Sequence, residues 1–95
     1  MLRPDERSDA RERALYLLYE AHSKGIEPSA TIELQVIEPD ELTQELVLGV
    51  GRTMPTLDEH IARRSKGWTL ARMPVLDLNV MRLGVFELLE RPDVP

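Results

Sequence analysis

The stretch that decides the fold is GWTLARMPVLDLNVMRLGVFELL, residues 67–89. At about 100° of rotation per residue, Asn79, Arg82, Phe86, Glu87 and Glu90 share one stripe of a helix, while Leu76, Val80, Met81, Gly84, Val85, Leu88 and Leu89 take most of the remaining circumference. A polar stripe that narrow does not suit a surface helix. It predicts a central helix whose apolar sides are covered by other helices, and the upstream chain is read as supplying them.

With 95 residues the chain makes a single small domain, here taken as residues 1–95. Hydrophobic residues are 42% and aromatics 4% of the sequence, so the core is expected to be built of Leu, Val, Ile, Ala and Met. There is no cysteine, which excludes disulfides and thiolate metal sites. No apolar run reaches the length of a membrane span, and MLRPDERSD lacks the apolar core of a signal peptide; a soluble, cytoplasmic protein is the expectation. A net charge of −5 argues against strong, sequence-blind binding to nucleic acid.

Ser8 is a candidate N-cap, with Asp9 in the first turn. Ala10, Ala14, Leu17, Leu18 and Ala21 then follow a one-sided helical spacing that predicts a helix to about Ser23, ending at Lys24-Gly25. Arg7 and Arg11 lie one turn apart at the edge of its buried stripe; Arg13, Tyr16 and Tyr19 lie elsewhere on the circumference. Over residues 1–13, Arg3, Arg7, Arg11 and Arg13 are balanced by Asp5, Glu6, Asp9 and Glu12. Two readings compete for that segment: a solvated helix entrance laced with ion pairs, or an arginine-bearing helix end that grips phosphates while Tyr19 stacks on a base.

Residues 26–38, bracketed by Pro28 and Pro39, read as a short helix or an ordered loop, since a strand there would have no partner to pair with. Pro39-Asp40-Glu41 opens a second long helix, in which Leu42, Leu46, Gly49, Val50, Thr53, Leu57 and Ile61 keep one phase to about Arg64. Pro55 interrupts it, which predicts a kink or two abutting helices, with Gly51 easing the bend. Gly49, on the apolar face, predicts close approach of another helix. Arg63, Arg64, Lys66 and Arg72 surround Trp68, which is read as a core plug in preference to a stacking platform. Thr69 is a candidate cap for one turn, Leu70 to Met73, and Met73 and Met81 are read as core filler.

His22 and His60 fall on different helices, no Gly-rich phosphate loop follows a strand, and no Ser or Cys sits in a nucleophile elbow. No catalytic residue, metal or cofactor is expected, so the reading is a non-enzymatic protein.

RSDARERALYLLYEAHSKG, ELVLGV and GWTLARMPVLDLNVMRLGVFELLERPDVP together resemble the NusB family of bacterial transcription antitermination factors, and the GWTL lead-in resembles its actinobacterial members. The specific signature is Leu-Asp-x-x-Val-x-Arg-x-x-x-x-Glu-Leu followed by Asp-Val-Pro. The resemblance implies an all-α, NusB-like helical bundle, here C-terminally incomplete, because the family continues past Asp-Val-Pro with helices that pack on the central one. It implies pairing with the ribosomal protein NusE to bind boxA RNA of ribosomal RNA leader transcripts within the RNA polymerase antitermination complex. RNA contact is carried over to Arg3, Arg7, Arg11, Arg13 and Tyr19, and partner contact to Tyr19, Asp77 and Arg82. A homodimer is a further candidate assembly, and no membrane is involved. Two alternatives share the fold: the N-terminal NusB-like domain of a ribosomal RNA cytosine methyltransferase, and a helical interaction or dimerisation module that has lost RNA binding.

Overall fold

The computed structural model describes residues 4–65 and 69–90. They form an all-α arrangement: α1 (Pro4–Lys24), α2 (Pro28–Glu33), α3 (Glu41–Arg64), a 3-10 turn (Leu70–Arg72) and α4 (Val75–Glu90). Helices α1, α3 and α4 pack on one another, and α2 lies against α1 and α3. The readings of Arg3 and Trp68 fall outside the described residues.

Helix α1 starts earlier than its spacing suggested. Pro4 stands at the start, where its fixed φ is already helical, and Asp5 and Glu6 place carboxylates in the first turn. Ser8, read as the cap, is an interior and exposed position. The helix ends as expected at Gly25, whose φ of 65° is left-handed. Two backbone bonds close that end, Gly25 N–H to the carbonyl of His22 (3.2 Å) and Ile26 N–H to that of Ala21 (3.0 Å), the paired pattern of a Schellman terminus. Residues 26–38 resolve into α2 and a loop. Thr31, fully buried, donates its hydroxyl to the carbonyl of Pro28 at 2.6 Å, which satisfies it locally.

Asp40 caps α3, which begins at Glu41. Its carboxylate accepts from the Thr43 backbone N–H (3.2 Å) and the Thr43 hydroxyl (2.5 Å). Pro39 is buried just outside the helix. Helix α3 runs through Pro55 as one element, not two. The turn before that proline is tightened by the Thr53 hydroxyl, which donates to the Gly49 carbonyl at 2.7 Å. Thr69 occupies the cap position of the 3-10 turn without a side-chain bond.

The core joins Ala10, Ala14, Leu17 and Leu18 of α1 to Leu46, Val47, Val50 and Leu57 of α3 and to Leu83 and Phe86 of α4. At its centre Phe86 occupies the space beside Gly49. A Cβ built on Gly49 would fall 2.1 Å from the Phe86 ring, so the glycine is what lets the two helices come together. The expected close approach is therefore present, and its partner is an aromatic ring.

Helix α4 is turned the other way from its sequence reading. Leu78, Asn79, Leu83 and Phe86 are the buried positions, whereas Leu76, Val80, Met81, Leu88 and Leu89 are exposed. The stripe that looked like a solvent face is the inner one. Met81 and the half-buried Met73 are accordingly not core filler; Met54 of α3 packs against the core instead. The body is 40 × 32 × 19 Å, its thin dimension about two helices thick, and among the described residues α4 is covered on the side of Leu78, Asn79, Leu83 and Phe86.

Replacing Gly49 with Ala should destabilise the fold despite alanine's better helix propensity, by about 1–3 kcal/mol of overpacking. Adding Phe86→Leu to Gly49→Ala should recover part of the loss. Urea denaturation of the single and double variants measures both effects; a more stable Gly49→Ala protein would refute the contact.

Candidate nucleic-acid and partner interface

The arginines at the start of α1 do not form one patch. Arg11 lies at the edge of the buried stripe and reaches α4: its Nε donates to Glu87 Oε1 (3.1 Å) and Oε2 (2.8 Å), and its Nη2 is 2.8 Å from Oε2. This fork ties α1 to α4, which leaves Arg11 little capacity for an outside anion. Arg7, a turn earlier, is half-buried and has no ion pair among the described residues. Arg13 projects from the opposite edge of the helix, exposed, with Nη1 3.8 Å from Asp40 Oδ1.

Asp40 links this region to the start of α3. Its partial burial works to raise the carboxyl, but the Thr43 hydroxyl and backbone N–H, its own backbone and nearby Arg13 outweigh that and hold it below the usual carboxylate range. A depressed folded-state value means that the cap stabilises above the unfolded value of 3.8 and that its contribution is lost as pH falls through the folded one. Asp40→Ala should cost about 1 kcal/mol near neutrality. Denaturation curves of the two proteins should converge on acidification below that window, and a gap that persists there would contradict the assignment.

Tyr19 is half-exposed on a third face of α1. With Glu12, Leu15 and Tyr16 it forms one wall of a groove of about 660 Å³, whose other wall is Pro74, Val75 and Leu76 at the start of α4. Asp77 follows directly, exposed in the first turn of α4, where a carboxylate suits the helix dipole. The fold thus brings Tyr19 and the neighbourhood of Asp77 together although 58 positions separate them (77 minus 19). Leu15, Tyr16 and Leu76 belong to the same surface and were missed in the sequence, since nothing in their spacing distinguishes a groove wall from a core position.

Arg82 is placed inside. Its Nε and Nη2 donate to Asp58 Oδ1 (2.7 Å) and Oδ2 (2.9 Å), and its Nη1 donates to Asn79 Oδ1 at 3.1 Å. Only 13% of the Arg82 side chain is exposed, and within the fold it joins α3 to α4. Asn79 is 1% exposed and its Nδ2 has no hydrogen-bond partner among the described residues. The partners of Arg11 and Arg82 were the groups sequence reasoning missed; the available signal was that Arg82 and Glu87 flank Phe86 on one narrow stripe.

Among the described residues no group of three or more His, Asp or Glu side chains could hold a metal ion, and no helix is long and apolar enough to cross a membrane.

Arg82→Ala would strand Asp58 and Asn79, and removing one partner of a largely buried pair costs about 3–5 kcal/mol. Arg13→Ala, at an exposed pair, should cost no more than about 1 kcal/mol. Thermal melts of the two variants separate a structural arginine from a surface one.

The sequence model of the NusB family matches residues 8–95. The transcription antitermination protein NusB of Thermobifida fusca is 39% identical over 97 residues, covering 98% of this chain and 68% of that protein. That of Saccharopolyspora erythraea is 42% identical over 92 residues, covering 92% and 62%, and that of Citrifermentans bemidjiense 38% over 106 residues, covering 94% and 71%. The chain therefore spans about two thirds of the length of these relatives.

Proposed function

The chain belongs to the NusB family, and on that premise we propose that it is a non-enzymatic transcription antitermination factor that binds boxA-like leader RNA jointly with the ribosomal protein NusE, within the antitermination complex of RNA polymerase. Residues 1–95 act as a single NusB-like unit, a reading supported by the one core shared by α1, α3 and α4.

The groove shared by Tyr19 and the start of α4 carries the partner half of this reading. Its walls are mostly apolar, two tyrosines and a leucine are half-exposed or more, and the exposed Asp77 follows its Leu76 in sequence, so it suits a protein surface that offers an apolar side chain beside a basic one. Tyr19 and Asp77 are assigned to that partner.

RNA contact falls to Arg3, Arg7 and Arg13, with Tyr19 at the border of the two surfaces. Arg11 and Arg82 are left out, because each is committed to a carboxylate within the fold. Three arginines neutralise few phosphates, and the acids around them reduce the local field. Binding by the chain alone should therefore be weak, with a log–log salt slope of about −2 at roughly −0.7 per phosphate for single strands.

Titration of labelled boxA RNA by fluorescence anisotropy, with and without NusE and across a salt series, tests the assignment. Tight RNA binding should require NusE. Arg7→Ala with Arg13→Ala should flatten the salt slope by about 1.4 for two lost contacts, and Tyr19→Ala should remove the gain from NusE. Tight, salt-resistant binding without NusE would overturn the reading. The zero net charge of residues 1–13 favours one rival, a helical interaction module without RNA affinity, and absence of RNA binding even with NusE would select it.

A further inference from the structure

We propose that the loop between α2 and α3, together with the first turns of α3, docks a basic segment of another protein, one that carries a bulky apolar side chain beside its lysines or arginines. Two hollows adjoin there and share Pro39. One, of about 440 Å³, is lined by Arg13, Tyr16 and Leu17 of α1 and by Val36, Ile37 and Pro39. The other, of about 530 Å³, is lined by Glu38, Glu41 and Glu45, with Pro39 and Leu48. Neither has a residue of α4 in its lining, so the surface is built by α1, the loop and α3.

The loop is pinned at both ends and open in the middle. At one end the Gln35 backbone N–H donates to the Ile32 carbonyl (3.2 Å) and its Nε2 donates to the Thr31 carbonyl (2.9 Å). At the other, Pro39 is buried and its carbonyl accepts from Gln44 Nε2 at 2.7 Å, next to the Asp40 cap of α3. Between these anchors Val36 is 102% and Ile37 83% exposed. Two β-branched side chains on a fastened loop have little freedom left to lose when a partner covers them, which favours binding.

Charge selects the occupant. From Gly25 to Gly51 the chain has six acids, Glu27, Glu33, Glu38, Asp40, Glu41 and Glu45, and no Lys or Arg, so this segment is more negative than the whole chain's net −5. Glu41 and Glu45 stand one turn apart on α3, Glu38 joins them from the loop, and no cation lines their hollow. Arg13, at the apolar hollow, lies 3.8 Å from Asp40. A cationic side chain is drawn toward the three carboxylates while its apolar neighbour enters the space beside Ile37. RNA is repelled by the same carboxylates, and a second copy of this chain would bring a like-charged segment against them.

Titration of the isotope-labelled full chain with a synthetic peptide of repeated Lys-Lys-Leu, followed by NMR, tests this. Shifts should map to residues 34–45 and the adjoining face of α1, with a Kd on the order of 10–100 μM for a footprint smaller than a standard interface. A peptide of repeated Lys-Lys-Ser, equal in charge, should bind roughly tenfold more weakly or worse. Val36→Ser with Ile37→Ser changes two exposed side chains, so the melt should stay where it is while affinity for the leucine peptide falls roughly tenfold. Glu38→Gln with Glu41→Gln should weaken binding severalfold at low salt, and the difference should close as salt rises. The proposal is overturned if the serine peptide binds as well, if Val36 and Ile37 can be replaced without loss, or if the shifts map to the start of α4. Single-stranded RNA that shifts the same residues, or shifts there that grow with protein concentration alone, would give the surface to another occupant and overturn it too. Neither boxA RNA nor NusE enters the peptide titration, so its failure is separate from failure of the RNA-binding reading.

Discussion

The approach of Phe86 to Gly49 sets the rest of the arrangement. Once that ring lies on the bare backbone of α3, the rotation of α4 about its axis is fixed, and the residues sharing a face with Phe86 must go inside whatever their polarity. Arg82 and Asn79 enter the α3–α4 seam and Glu87 enters the α1–α4 seam. Charges taken out of water need partners, and Asp58 and Arg11 provide them. The two ion pairs are thus consequences of an aromatic packing contact, and they add direction to a core that is otherwise aliphatic and tolerant of slippage.

The sequence was most legible where local rules act. The Ala and Leu spacing of α1, the glycine at its end and the long phase of α3 each follow from interactions within a few residues, and each is present in the structure. Gly49 was legible too, since a glycine on an apolar helical face has few explanations other than close packing. The orientation of α4 was not. Hydrophobic periodicity identifies the inner face only when the more apolar side is the one covered, and here the covered side is the mixed one. Arg82 and Glu87 could not be matched to partners 24 and 76 positions away without the fold. The start of α1 was misplaced for a simpler reason: Ser8 is an excellent cap in isolation, and Pro4 with Asp5 and Glu6 is a better start.

The candidate site changed more than the fold did. An arginine-rich segment reads as a single basic surface, yet a helix spreads neighbouring residues around its axis, so Arg7 and Arg11 lie at one edge, Arg13 at the other, and Arg11 is consumed by Glu87. What the structure adds is a groove built from two distant segments. Its residues look ordinary in sequence: Leu15 and Leu76 are indistinguishable from core positions until the helices are placed side by side.

The contact between Arg11 and Glu87 joins positions 76 apart in a chain of 95. During synthesis α1 emerges long before its partner does, and part of its apolar face must wait until α4 has been made. Helices α1 and α3 can associate early, because their separation is moderate and the loop-closure cost grows slowly with length. Docking of α4 then closes the long loop back to α1 and seals both ion pairs in one step. Among the described helices, α4 is therefore the one that completes the core shared with α1 and α3, and α1 is the one left waiting if that step is delayed.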